Sequence, residues 1–120
     1  MKKTVVLGAT TNPVRAAYAA VERMARQNLE VVPIGVRKGK IAGIIIQHDQ
    51  PDIENVHTVT LYLNPQRQEQ YYTYILEQLQ PQRLIFNPGT ENPELAQLAR
   101  KRGIEVEMAC TLVMLSMGSY

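Results

Sequence analysis

A chain of 120 residues and 13.6 kDa, 45% apolar and 20% charged, is long enough for one compact domain over residues 1–120 and too short for a second core. Thirteen basic against eleven acidic residues leave a net charge of +2, which excludes a global field able to hold a nucleic acid backbone, and no apolar run approaches the roughly 18 residues of a membrane span. The single cysteine, Cys110, excludes an internal disulfide framework and a cysteine-based zinc site, and the start "MKKTVV" leads into no apolar stretch of signal length, so a cytoplasmic protein is expected.

In chain order, "TVVLGA" (4 to 9) reads as a first buried strand that ends at Gly8. Residues 13 to 28 predict a helix opened by Pro13, with Val14, Ala17, Tyr18, Val21, Met24 and Ala25 on its inward stripe. "EVVPIG" (30 to 35) and "IAGIII" (41 to 46) are the second and third strands, with a basic turn between them and a turn-rich stretch, "QHDQPDIEN", after them. "VHTVTLYL" (56 to 63) is a fourth strand, followed by a helix over 65 to 80 capped by Asn64, with Tyr72, Ile75, Leu76 and Leu79 facing inward. "RLIFN" (83 to 87) leads to a helix over 92 to 102 that buries Leu95, Leu98 and Ala99 and stops at Gly103. "IEVEM" (104 to 108) is the sixth strand, and "ACTLVMLSMGSY" a short apolar helix closing the sheet.

Strand and helix in alternation predict an α/β, Rossmann-like fold: a mostly parallel sheet of order 3-2-1-4-5-6 with helices on both faces. Ligands of such sheets bind beyond the carboxyl ends of the strands, where strand order reverses, here between strands one and four. The rim then comprises Gly8 to Asn12, Ile34 to Lys38, Leu63 to Pro65, Asn87 to Glu91 and Ala109 to Thr111.

"GATTNP" offers a sharp turn and a helix start that can face an anion, but a G-x-G-x-x-G loop wants glycines where Thr10 and Pro13 stand. The end of strand two, "GVRKGK", carries Arg37, Lys38 and Lys40 and no acid, which suits a phosphate on a ribose and argues against NAD. NADP and coenzyme A both satisfy that pattern; so does a solvated basic turn.

The runs "VVLGATTNPVRAAY", "VVPIG", "GKIAGI", "TVTLYLNP" and "PGTENPELAQLARKRGIEVEMACTLVML" resemble the small stand-alone CoA-binding domain proteins, which are similar to the CoA-binding domain of the succinyl-CoA synthetase α subunit. The resemblance implies binding of coenzyme A or an acyl-CoA at the strand ends. It implies that Gly8, Ala9, Thr10 and Thr11 meet the phosphates, with Arg15 and Tyr18 as neighbours, and that Ile34, Gly35, Val36, Arg37 and Lys38 receive the nucleotide end. Tyr62, Leu63 and Asn64, then Asn87, Pro88 and Gly89, follow from the loops after strands four and five. "PIGVRKG" departs from the family's proline-asparagine-proline turn, and "NPGTENPEL" from a glutamine-rich version. The synthetase's phosphorylated histidine belongs to a second domain that this chain lacks, so the ligase reaction is not carried over.

No catalytic set and no metal site are expected. His48 falls in a turn and His57 at the start of strand four, both away from the rim. Glu91 and Glu94 read as dipole-stabilising carboxylates. Cys110 stands at the ligand edge, where a thiolate would meet the CoA thiol and, with a two-electron oxidant, form a mixed disulfide; as a buried small hydrophobe it would be inert, and no histidine neighbours it to serve as a base. The expected partner is a small-molecule nucleotide cofactor, without nucleic acid or membrane, and the "TLVMLSMGSY" tail is a site for a homodimer. The competing readings are a small NADP-dependent reductase and an interaction protein that has lost ligand binding, the latter favoured if Arg15 or Tyr18 blocks the rim.

Overall fold

The computed structural model describes residues 2–120. Five parallel strands form the sheet: β1 (Lys3–Leu7), β2 (Glu30–Ile34), β5 (Val56–Leu61), β6 (Arg83–Phe86) and β7 (Glu105–Met108), in the order β2-β1-β5-β6-β7. Leu7 pairs with Ile34 on one side and Leu61 on the other, Leu61 with Phe86, and Phe86 with Met108. All five strands therefore end in one row, and the loops after them leave from a single edge. Strand order reverses between β1 and β5, as expected.

Central strands buried on both faces need apolar side chains in continuous runs. Val5, Val6, Val59, Leu84 and Ile85 are fully buried. On one face Val5, Leu7, Val59, Leu61, Leu84 and Phe86 pack against Tyr74, Ile75, Leu95 and Ala99; on the other Val6 packs against Ala17, Val21, Met24 and Leu115. Helix α1 (Ala16–Arg26) and helix α4 (Thr111–Met117) thus cover the second face, and helices α2 (Pro65–Gln68) and α3 (Pro93–Lys101) lie on the chain segments that cover the first. No helix among the described residues is long and apolar enough to cross a membrane.

Four elements differ from expectation. The third strand is a hairpin, β3 (Lys40–Ile41) and β4 (Ile44–Ile45), because Ala42 and Gly43 take φ of 51° and 80° and so form the tight turn that reverses a strand. Only Gln47 bridges to Ile34 alongside β2. Helix α1 starts at Ala16, not Pro13: the Asn12 side chain accepts from the Val14 N–H and its carbonyl from the Arg15 N–H, a local turn that competes with helix, and Val14 is 89% exposed. The segment after Asn64 is α2, a 3-10 turn (Glu69–Tyr71) and a π turn (Tyr74–Leu79); this wide winding buries Tyr74, Ile75 and Leu76 in succession, which a single α-helical stripe cannot do. In α3 the buried residues are Leu95, Ala96 and Ala99, while Leu98 is exposed. Of the tail's methionines, Met114 is buried and Met117 exposed.

The free edge is β7. Glu105 and Glu107 share one face of it, and Glu107 pairs with Arg83 at 3.6 Å.

Beneath the tail lies a buried cation. Arg83 donates from Nε to Thr58 Oγ1 at 3.0 Å and from Nη1 to the Tyr120 carbonyl at 2.8 Å, with its guanidinium 4.5 Å from the Tyr120 ring centre. Tyr120 also bonds Thr4 through its hydroxyl. Thr58 Oγ1, which accepts from Arg83, also lies 2.7 Å from His57 Nδ1. Burial, then the charges of Arg83 and Lys2, hold the His57 pKa below 6.5. The sign follows: as pH falls through 6.5 the unfolded chain takes up this proton before the folded one, so stability is full above 6.5 and declines below it until the folded ring also titrates. Urea midpoints measured between neutral and mildly acidic pH should fall more steeply in the wild type than in His57→Asn; equal slopes would contradict the assignment.

Candidate functional site

The loop after β1 turns at Gly8, whose φ of 104° favours glycine and whose missing Cβ would stand 3.1 Å from the Tyr62 carbonyl carbon and from Leu63 Cδ2. The Gly8 and Ala9 N–H groups both donate to the Ile34 carbonyl at 2.9 Å. They are spent on the sheet, so these two backbone donors are not free for a ligand. Among the described residues the Thr10 and Thr11 N–H groups have no partner, while Thr10 Oγ1 accepts from the Asn12 N–H at 3.2 Å. Arg15 is exposed and sits at the N-cap of α1 without a side-chain cap, and the first turn carries no acid. The Tyr18 N–H donates to the Arg15 carbonyl at 3.1 Å, which leaves the Ala16 and Ala17 N–H groups without an acceptor among the described residues, and no acidic residue of the first turn compensates them. Tyr18 packs against the α1 core cluster.

The loop after β2, residues 35 to 39, interlocks with the first. A Cβ on Gly35 would lie 2.2 Å from the Ala9 carbonyl oxygen, and one on Gly39 would lie 2.3 Å from Thr11 Cγ2. The segment just beyond the hairpin grips both ends: the Gly35 N–H donates to the Gln47 carbonyl and the Ile46 N–H to the Gly39 carbonyl, each at 2.9 Å, and His48 Nδ1 meets the Gly35 carbonyl at 2.8 Å. His48 therefore belongs to the rim, contrary to its expected place in a detached turn. Ile34 is buried at the strand end; Val36, Arg37 and Lys38 are exposed at the loop tip.

The remaining loops are braced from below. Asn64 caps α2, its Oδ1 accepting from the Arg67 N–H, as expected. Buried Gln68 donates from Nε2 to the carbonyls of both Leu63 and Thr90, each at 2.8 Å, and accepts from Asn92, which caps α3. Asn87 is buried: Nδ2 donates to Thr60 Oγ1 and the Leu61 carbonyl, and Oδ1 accepts from the Thr111 N–H. Its amide protons are consumed inside the fold. Pro88 and Gly89 are exposed, and the Gly89 N–H donates to Glu91. The Tyr62 hydroxyl is buried and makes no well-formed hydrogen bond; burial pushes it up to about 12, with the nearby Thr111 hydroxyl pulling the other way. Cys110 is half-buried at the N-cap of α4.

Two further regions bear on function. No group of three or more His, Cys, Asp and Glu residues among those described comes together to hold a metal ion. A cavity of about 800 Å³, lined in part by His57, Gln80, Arg102 and Glu105, opens at the amino ends of the strands. It lies at the wrong end for the strand-end binding that open parallel sheets support.

A family model described as "CoA binding domain" matches residues 2–116. A crystal structure of an uncharacterized protein is similar at 52% identity with a TM-score of 0.95, over 100% of this chain and 98% of that one. A hypothetical protein from Pyrococcus horikoshii OT3 shares the fold at 21% identity and a TM-score of 0.84, over 97% of this chain and 82% of that one. A protein from Thermus thermophilus does so at 20% identity and a TM-score of 0.84, over 99% and 90%. No curated protein matches the chain.

Proposed function

The chain belongs to the CoA-binding-domain family, and from that membership we propose that it binds coenzyme A or an acyl-CoA across the five strand ends, as a binding module. The observation that carries the reading is the meeting of two loops of complementary chemistry. One ends in free N–H groups at Thr10 and Thr11 and at an uncapped helix start; the other, pressed against it at Gly35 and Ala9, presents Arg37 and Lys38. The first suits a pyrophosphate and the second a ribose phosphate. The pantetheine arm then crosses β5 and β6 past Leu63 and Pro88 to Gly89, toward Cys110, with Asn64 and Asn87 holding those loops rather than the ligand.

The test is a thermal-shift or calorimetric series with CoA, dephospho-CoA, NADP and NAD. CoA at about a hundred times its dissociation constant should add about 2.7 kcal/mol of stability. Dephospho-CoA should bind more weakly, and replacing both Arg37 and Lys38 by alanine should abolish that gap. If no nucleotide binds, the module reading fails; if CoA and dephospho-CoA bind alike, the phosphate role of the basic loop is wrong.

A further inference from the structure

We propose that His48 is the positioning residue of the basic loop, holding Arg37 and Lys38 in place through its grip on Gly35. The expected effects on ligand affinity rest on the CoA reading above; the expected effects on the loop do not.

The Gly35 carbonyl can only accept, so the His48 nitrogen 2.8 Å from it carries the proton. That fixes the imidazole as the Nδ1–H tautomer in its neutral form and leaves Nε2 bare. His48 is one of three ties between residues 35 to 39 and the segment 46 to 48. The other two, at the Gly35 N–H and the Gly39 carbonyl, are backbone bonds that any residue at 47 and any residue but proline at 46 would supply. The His48 bond is the only one of the three that depends on a side chain. It also acts where the two loops pack closely, since a Cβ on Gly35 would lie 2.2 Å from the Ala9 carbonyl oxygen. Turning the Gly35 carbonyl away from His48 reorients the next peptide, that of Val36, and with it the exposed arm bearing Arg37 and Lys38.

The chemistry demanded at position 48 is thus a donor at the distance of Nδ1, which asparagine reproduces through its own amide and alanine does not. His48→Ala should lose about tenfold in CoA affinity and no more than about twofold in dephospho-CoA affinity, the worth of one hydrogen bond acting through the phosphate contacts. His48→Asn should restore both. In the ligand-free protein, backbone ¹⁵N relaxation at Val36, Arg37 and Lys38 should report added fast motion in His48→Ala and wild-type order in His48→Asn. Imidazole ¹⁵N shifts of the wild type should give the Nδ1–H tautomer.

Equal losses for the two ligands in His48→Ala, or no rescue by asparagine, would overturn the assignment, as would an Nε2–H tautomer. Unchanged relaxation of the loop in all three proteins overturns it whatever the ligands do. If the wild type binds neither ligand while the loop loosens in His48→Ala and recovers in His48→Asn, the CoA reading falls and the positioning role stands.

Discussion

Gly35→Ala should lower stability by about 3 kcal/mol, the upper part of the range for forcing extra volume into a packed site. For a domain of this size that corresponds to a fall of about 10 °C in Tm. Gly35 is the one glycine of the seven without a positive φ, so backbone strain does not explain its presence. The reason is the backbone oxygen of Ala9, 2.2 Å from where the methyl would stand. A flexible side chain would swing aside; a carbonyl held in a loop pinned by two bonds to Ile34 cannot. Separation of the two loops is the only relief, and it would pull the basic tip away from the first helix, so CoA affinity should fall with stability. Gly43→Ala is the matched control. Nothing lies within 4 Å of its Cβ position and only its φ of 80° opposes the change, at about 1 kcal/mol. Urea denaturation of both variants decides the matter: a Gly35→Ala protein as stable as Gly43→Ala would mean the loops are not locked together.

Asn87→Ala should cost about 3 kcal/mol or more. The buried Leu61 carbonyl and Thr111 N–H would each lose a partner, at about 1–3 kcal/mol apiece, and Thr60 would keep only Thr111. Asn87→Asp separates geometry from polarity. It keeps the acceptor for Thr111 but sets a carboxylate oxygen against the Leu61 carbonyl where the amide donated. Its charged form is opposed in the fold, so its folded pKa lies above the unfolded one and the variant should gain stability as pH falls. Chemical denaturation at neutral and acidic pH reads both effects. A near-neutral Asn87→Ala would show that this amide does not carry the joint between β5, β6 and α4.

The strand ends were legible in the sequence because each is a Val/Ile-rich run closed by a turn residue, and Gly8 to Thr11 and Gly35 to Lys38 lie where those runs placed them. The sheet order followed from strand–helix alternation, except at "IAGI", where the positive φ of Ala42 cannot be read from a residue that prefers other conformations. Val14 was misplaced because periodicity describes a face only once a helix exists, and Asn12 ends the turn before it does. Gln68 and His48 gave no signal at all. One is a glutamine within "PQRQEQ", the other a histidine within "QHDQ", and both take meaning from carbonyls 5 to 22 and 13 residues away. The spent donors of Gly8 and Ala9 were hidden for the same reason, since their acceptor, Ile34, lies in another strand.

The level row of strand ends also bears on when this edge of the sheet comes into being. Its loops begin at residues 8, 35, 62, 87 and 109, so no fragment released early in synthesis contains the whole of it. The β1–β5 pairing that joins its centre closes a separation of about fifty residues, the kind of parallel, non-local contact that forms late. β7 and the residues that clamp Asn87 through Thr111 emerge last of all. A nascent chain therefore lacks a complete strand-end edge until the loop after β7 has been made.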